Sequence, residues 1–297
     1  MMFALALLAT IATDPSLSRL QIEDGRVAAI AWRMQTANVD ICDQKASLSG
    51  LSLHALSQYP GGQRRAAIAQ LGLSKHVAIS AIAPGSAAAH AGLMIGDAIL
   101  MVNDAETPVV LADDGYAPVG NVEDMIEAAM VRAPVKMRIA RGGVARDVVL
   151  SGQLGCASRV QIIAGNSINA GADGKFVQIN ARMIEFVRSD DELAVIIGHE
   201  LAHNILRHKV MKTKSKQAEY EADALGIWLV ARAGYDVGAV IPFWTRFEDR
   251  TNAGIFADGT HPSKKKRLAA IAATVGDVAA QQAKGGTLLP PMIRAAQ

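Results

Sequence analysis

Several features are scarce in this sequence, and each scarcity excludes a class of protein. Two cysteines in 297 residues are too few for a disulfide-rich scaffold or a cysteine-rich zinc module. The 30 basic and 28 acidic residues leave a formal charge of +2, so we expect no nucleic-acid partner. Beyond the N-terminus no stretch approaches 18 uncharged apolar residues, which argues against a membrane-spanning helix. Hydrophobic residues make up 51% of the chain, which is enough for a packed core, and the length suits two domains.

The N-terminal run MMFALALLATIA carries no charge and no helix breaker. It is shorter than the roughly 20 residues that cross a bilayer, but it suits the apolar part of a secretory signal. A basic residue near the start is missing from that pattern. We expect a signal peptide over residues 1–15 and a periplasmic or secreted protein. If the segment is not removed, we expect it to attach the protein to a membrane. The alternatives are a buried N-terminal segment or a misplaced start codon.

Short strands and helices alternate in the middle of the chain. Runs at 77–83 and 98–103 are typical of strands, and a short helix at 87–93 lies between them. Asn121 is placed to cap a second helix. Two further strands flank the Arg-Gly-Gly turn at 141–143, which indicates a hairpin. This pattern predicts a small β-rich module.

The run APGSAAAHAGLMIGDAILMVND, residues 83–104, resembles a PDZ domain of the bacterial protease type. Ala87 and Asp104 depart from the Pro and Gly that are usual in that family. The resemblance implies a PDZ-like domain over residues 70–154. It also implies a groove, beside the strand from Val77 and the second helix, that takes a peptide ligand by strand addition.

After Cys156 the pattern changes again. Residues 159–165 and 175–180 are typical of strands, and we predict a turn at Asp173-Gly174 between them. The run SDDE at 189–192 has the Ser-x-x-Glu form of a capping box and opens a long apolar helix. A further helix is predicted over 216–233, closed by a glycine.

The long helix carries the motif HELAH, with His199, Glu200 and His203. Residues four apart on a helix differ by about 40° in direction, so the two imidazoles can bind one metal ion. Glu200 lies about 100° from His199 and can reach a water on that metal without being a ligand. The alternative, two histidines buried in a core without partners, costs roughly 1–3 kcal/mol for each.

A catalytic zinc needs a third protein ligand. One class of zinc peptidase places a histidine six residues after His203 and a glycine at the third, but these positions hold Lys209 and Leu206. His208 lies about 140° from His203 on a continuing helix, so we interpret it as a surface or capping residue. The third ligand must then come from elsewhere.

The following helix offers three carboxylates in the run EYEAD. Glu219 and Asp223 share one face, whereas Glu221 lies about 160° away from Glu219. A ligand followed one turn later by a carboxylate that binds a histidine N–H is chemically sensible. The spacing alone leaves the choice open.

The motifs HELAHNILRH and EYEADALG together resemble the gluzincin peptidases of the HtpX and CAAX-prenyl-protease type. The run THPS at 260–263, with Arg267, is a further match. The resemblance implies one Zn²⁺ per chain, Glu219 as the third ligand, and Asp223 as a second carboxylate that fixes a histidine. It also suggests that His261 approaches the site as an oxyanion-stabilising residue or a latch, the alternative being a plain loop residue.

The main hypothesis is a zinc endopeptidase that acts on envelope or misfolded proteins in protein quality control, with the PDZ-like module recruiting or gating substrate. Zinc lowers the pKa of a bound water toward about 7, and Glu200 takes its proton and later passes it to the leaving amine. An edge strand, proposed as 175–180, would hold the substrate.

Two rival functions remain open. One is a non-catalytic binding protein or chaperone that uses the PDZ-like module and a closed metal site. The other is a zinc hydrolase for a small substrate. Two basic runs, at 207–216 and 264–267, are interpreted as ordinary solvent-exposed surface. The alternative is that they contact anionic lipid or an acidic substrate.

In the gluzincin family a helix ahead of the first strand packs against the metal-binding core. We therefore predict that residues 16–58 join residues 155–297 in the peptidase domain and that the PDZ-like domain is an insertion. A Cys42–Cys156 disulfide would tie the two ends of that insertion together. The fold class expected is α+β, a mainly helical zincin-type domain with a small sheet plus an inserted β-rich domain.

Overall fold

The structure is a computed structural model and describes residues 14–131, 133–251 and 263–291. Most of the expected signal peptide and His261 lie outside these ranges. None of the helices within the ranges is long and apolar enough to cross a membrane. The described part mixes helices and strands, so the predicted α+β class is confirmed at that level.

The first half of the chain contains α1 (Pro15–Ala37), β1 (Lys45–Leu48), β2 (Leu51–His54), α2 (Gly61–Leu71), β3 (Ala78–Ile82), α3 (Ala87–His90), β4 (Ala98–Val102), β5 (Ala105–Glu106), α4 (Ala117–Met130), β6 (Val135–Arg141) and β7 (Val144–Leu150). The second half contains β8 (Gln153–Cys156), β9 (Arg159–Ile163), β10 (Ala170–Ala172), β11 (Phe176–Asn180), α5 (Ala181–Phe186), α6 (Asp190–Ile205), α7 (His208–Met211), α8 (Ser215–Arg232), α9 (Val240–Thr251) and α10 (Lys264–Lys284).

The middle of the chain forms an antiparallel sheet in the order β2-β3-β4-β6-β7, with β5 paired to β4. Alternating Val135, Met137 and Ile139 of β6 are fully buried, and α4 covers this side with Val122 and Ile126. The predicted hairpin of β6 and β7 is confirmed. The PDZ-like identity of this unit stays a prediction.

Two details of this unit differ from the sequence-based prediction. Helix α4 begins at Ala117, so Asn121 is an exposed residue inside it and not its cap. Pro118 lies in the first turn of α4, where its fixed φ favours helix initiation. The predicted groove beside the strand from Val77 is also wrong, because β3 lies between β2 and β4 and the edge strand is β2.

The C-terminal half of the described chain is built on α6 and α8, which pack along each other. A three-stranded sheet in the order β10-β11-β9 lies beside α6. The two predicted strands are present, but β9 and β11 are parallel, and the turn at Asp173-Gly174 joins β10 to β11. The two strands are parallel because the connection between them is not a single turn but also contains β10. The sequence did not predict β10, which is a short run of small residues without the alternation that marks a strand.

Helix α1 lies almost wholly in the 16–58 segment that we predict to join the peptidase domain, and it packs against both halves of the described chain. Val27, Ile30 and Met34 lie in the same apolar core as α6 and α8. The same helix contacts β3 of the six-stranded sheet and β9. The strand β2, inside the 16–58 segment, pairs with β3, while the domain boundaries themselves stay a prediction.

The structure contains the predicted Cys42–Cys156 disulfide, which joins positions 114 residues apart with a Cα–Cα distance of 5.5 Å. Next to it, β1 pairs antiparallel with β8, and Lys45 lies opposite Cys156. The disulfide and the β1–β8 pair together hold the two ends of the intervening segment close to each other.

Candidate metal centre

Helix α6 starts where the capping pattern predicts. The Ser189 Oγ accepts a hydrogen bond from the Glu192 backbone N–H at 3.2 Å. The Glu192 carboxylate accepts from the Arg188 N–H at 2.7 Å, one residue earlier than in the standard box. Three acidic residues in the first turn suit the positive end of the helix dipole. The cap fixes the first residue of α6 and therefore which face of the helix holds the buried HELAH motif.

The structure brings His199, His203 and Glu219 together. The two Nε2 atoms are 3.2 Å apart. The Glu219 carboxylate oxygens lie 3.6 Å from His199 Nε2 and 3.5 Å from His203 Nε2. One donor atom from each residue lies within 4.8 Å of the others. Two imidazole nitrogens and one carboxylate are a donor set suited to a catalytic zinc, so the residues fit this metal.

Two glycines allow α8 to bring Glu219 this close to α6. A Cβ at Gly226 would lie 2.9 Å from the His199 backbone N and 3.0 Å from its Cα. A Cβ at Gly198 would lie 3.0 Å from the Gly226 carbonyl oxygen. Because these neighbours are backbone atoms, a larger residue would push the helices apart. The crossing therefore depends on glycine at both positions.

The outer side of His199 faces a buried carboxylate, as the sequence analysis suggested. His199 Nδ1 lies 2.9 Å from Asp223 Oδ1. Arg267 of α10 donates to both Asp223 oxygens, at 2.8 and 3.0 Å, and lies 3.3 Å from Glu219. Its guanidinium also lies over the Trp244 ring at 3.9 Å. Arg267 thus holds Glu219 and Asp223 of α8 in place.

Burial and charge act on this cluster in opposite directions. Burial alone would raise the pKa of Asp223, but Arg267 and His199 outweigh it and lower that pKa. Burial would lower the pKa of His199, yet Asp223, Glu219 and Glu200 together raise it. For Glu200 burial dominates and raises the pKa, against the charges of the two motif histidines. Arg267 and His199 thus favour the ionised form of Asp223, whereas burial favours the protonated form of Glu200.

His208 is a buried residue, so its interpretation as a surface residue is wrong. Only 6% of it is exposed. Its Nδ1 lies 2.8 Å from His203 Nδ1, and its Nε2 lies 3.0 Å from a Glu221 oxygen. The helical projection failed because α6 ends at Ile205 and Arg207 takes a left-handed conformation with φ 56°. Arg207 is the fourth residue after the HELAH motif, and the sequence there has no glycine to signal that reversal.

Glu200 lies in a cleft of about 250 Å³ with the two histidines and Glu219. Residues 169–172, which include all of β10, line the cleft, and so do Trp244 and Phe247. Strand β10 is an edge of its sheet, whereas β11 lies in the centre. The predicted substrate strand at 175–180 is therefore wrong, since its two edges are already paired.

Comparison with known proteins adds an independent finding. The model of peptidase family M48 matches residues 144–216 and 211–275. The mitochondrial metalloendopeptidase OMA1 of Schizosaccharomyces pombe is 24% identical to the chain. These matches support a metalloendopeptidase of the M48 type. The alignment covers 42% of this chain and 49% of that relative, so the chain spans about half the length of the curated relative it matches.

The M48-type match contains all the residues of the cluster described above, from His199 to Arg267. Metal dependence and action on peptides or proteins are properties of this peptidase type. The narrower resemblance to HtpX and CAAX-prenyl proteases stays a prediction. The expected periplasmic or secreted location is wrong on this comparison, because the relative carries a mitochondrial name.

Proposed function

We propose that the protein is a zinc-dependent endopeptidase in which His199, His203 and Glu219 hold the metal. The observation that carries the proposal is the convergence of two imidazole Nε2 atoms and one carboxylate on a common point in the cleft. Each histidine also has an outer partner on its Nδ1, a usual arrangement for metal-binding histidines.

Zinc in such a site polarises a carbonyl and lowers the pKa of a bound water to about 7. Glu200 is the residue of this chain that can accept the proton of the attacking water and donate it to the leaving amine. Glu200 is 8% exposed, lies next to the ligand His199 in the sequence and lines the cleft. Arg267 lies 3.3 Å from Glu219 and 2.8 Å from Asp223, so it holds both carboxylates in place.

The substrate that suits this cleft is an extended peptide. Strand β10 has a free edge within the described sheet and lies beside Glu200, so its N–H and C=O groups can pair with a peptide backbone. The small residues of this strand, Ala170, Gly171 and Ala172, leave room for substrate side chains. Backbone pairing favours unfolded proteins and flexible loops over compact folded ones.

We further propose that the six-stranded sheet with α4 is a PDZ-like module that recruits or gates substrate. A cavity of about 740 Å³ lies beside β2, and α1, α4 and β9 also contribute to its lining. The free edge of β2 next to α4 suits strand addition by a peptide. Arg159 of β9 forms ion pairs with Glu123 and Glu127 of α4. Deleting the module would remove these contacts and disturb the rest of the fold, so point variants in α4 are the appropriate test.

The test of the peptidase function uses the full chain loaded with zinc and an unfolded casein-type substrate. We expect hydrolysis by the wild type, its loss with a chelator, and its loss in Glu200→Gln with zinc still bound. Glu185→Gln, an exposed carboxylate on α5, is the matched control and should retain activity. Equal degradation by the wild type and Glu200→Gln would refute the proposal and favour a binding protein or chaperone.

A further inference from the structure

We propose that His208 is a positioning residue that orients His203 toward the metal through a hydrogen-bonded chain ending at Glu221. The inference rests on the proposed function, since it takes His203 as a ligand. The chain consists of two contacts, His203 Nδ1 to His208 Nδ1 at 2.8 Å and His208 Nε2 to Glu221 at 3.0 Å. Both distances are within the range of normal hydrogen bonds.

The local backbone is shaped to make this contact. Helix α6 ends at Ile205, and Arg207 adopts φ 56°, a left-handed conformation uncommon for a residue other than glycine. This reversal turns the chain back so that the His208 ring lies beside His203, with ring centroids 4.9 Å apart. A polar ring with 6% exposure needs internal partners, and it finds one for each nitrogen.

The chemistry of the three groups fixes the direction of the chain. A neutral imidazole has one N–H donor and one acceptor nitrogen. If His203 presents the lone pair of Nε2 to the metal, its hydrogen is on Nδ1 and must be donated. His208 Nδ1 is then the acceptor, so the His208 hydrogen is on Nε2 and is donated to Glu221. Only this arrangement satisfies every atom of the chain.

The acceptor end is anchored on α8, the helix that also supplies Glu219. Gln217 donates to the second Glu221 oxygen at 2.7 Å, which holds the carboxylate in place. Glu221 lies on another face of α8 than Glu219, about 160° away, and the family resemblance selects Glu219 as the ligand. The structure shows that the two faces meet the two sides of the same site, Glu219 on the inner side and Glu221 through His208.

The two motif histidines thus have different outer partners. His199 contacts Asp223 directly at 2.9 Å, whereas His203 reaches its carboxylate through a second imidazole. Removing His208 leaves the His203 Nδ1–H without this acceptor, in a side chain that is 16% exposed. The ring can then rotate away from the metal, and the other tautomer becomes competitive.

The experiment measures zinc dissociation constants by competition with a fluorescent chelator, on the full chain at a fixed pH. His208→Ala should bind zinc roughly 10–100-fold more weakly than the wild type. His208→Asn should recover most of the affinity, because its side-chain oxygen can accept from His203. His90→Ala, an exposed histidine on α3, is the matched control and should leave the constant unchanged.

A spectroscopic measurement separates orientation from simple stability. In the zinc-loaded wild type, the ring of His203 should show a proton on Nδ1 in histidine-labelled NMR spectra, and His208→Ala should lose that resonance. If His208→Ala fails to fold, the zinc measurement is made on Glu221→Ala instead, because the Glu221 side chain is 38% exposed in the wild type. We expect Glu221→Ala to weaken zinc binding, but by less than the roughly 10–100-fold expected of His208→Ala. Wild-type zinc affinity in folded His208→Ala would overturn the inference. If His208→Ala does not fold, wild-type zinc affinity in Glu221→Ala would overturn it. Failure of the wild type to bind zinc would refute the proposed function instead.

Discussion

Replacing Gly226 by alanine is the sharpest structural test of the α6–α8 crossing. In a helix interior this change alone stabilises by up to about 1 kcal/mol. At this position the new Cβ would lie 2.9 Å from the His199 backbone N and 3.0 Å from the Gly198 carbonyl carbon. Neither atom is the end of a flexible side chain, so the helices must separate by several tenths of an ångström. Overpacking of this kind costs about 1–3 kcal/mol.

Gly276→Ala is the matched control, since Gly276 is exposed on α10 and its Cβ would meet nothing within 4 Å. We expect this control to gain up to about 1 kcal/mol and Gly226→Ala to fall about 1–3 kcal/mol below it. Urea unfolding of both metal-free proteins, followed by circular dichroism, gives these free energies. Gly226→Ala should also bind zinc more weakly, because Glu219 moves with α8. Stabilisation equal to that of the control would refute the close-packing argument.

Three further predictions concern stability. Opening the Cys42–Cys156 bridge by double alanine substitution should lower the free energy of unfolding by up to about 4–5 kcal/mol, measured by urea titration. Burial raises the pKa of Asp24 from 3.8 to about 6, so stability should fall as pH rises through that range. Asp24→Asn should then stabilise by at most about 3 kcal/mol at pH 8 and little at pH 4, and no difference between the two pH values would contradict this. Arg267→Met should destabilise by about 3–5 kcal/mol, because it removes the guanidinium that pairs with the buried Asp223 and Glu248, whereas exposed Lys266→Met should be near neutral in thermal unfolding.

The inner part of the site could be predicted because its geometry is local. The spacing of His199 and His203 on one helix fixes their common direction, and the Ser189 cap fixes where that helix begins. The choice of Glu219 over Glu221 needed a family resemblance, since helical spacing alone left both open. Among the described residues Glu219 is the carboxylate grouped with the two histidines, and its role as a ligand stays a proposal.

The outer part of the site could not be predicted because it depends on where regular structure stops. The role of His208 follows from a left-handed residue at Arg207, and the sequence has no glycine there to mark the reversal. Strand β10 is three residues long and consists of alanine and glycine, so it lacks the β-branched alternation of a strand. The parallel pairing of β9 with β11 is a tertiary property that neither strand encodes by itself.

The most direct test of the account is to locate the metal in crystals of the zinc-loaded protein by anomalous scattering at the zinc edge. We predict one strong site per chain, about 2.0–2.2 Å from His199 Nε2, His203 Nε2 and a Glu219 carboxylate oxygen. Glu200 should face the open coordination position without binding the metal. A zinc ion held by other residues, or a site in which Glu200 is a ligand, would contradict the proposed centre.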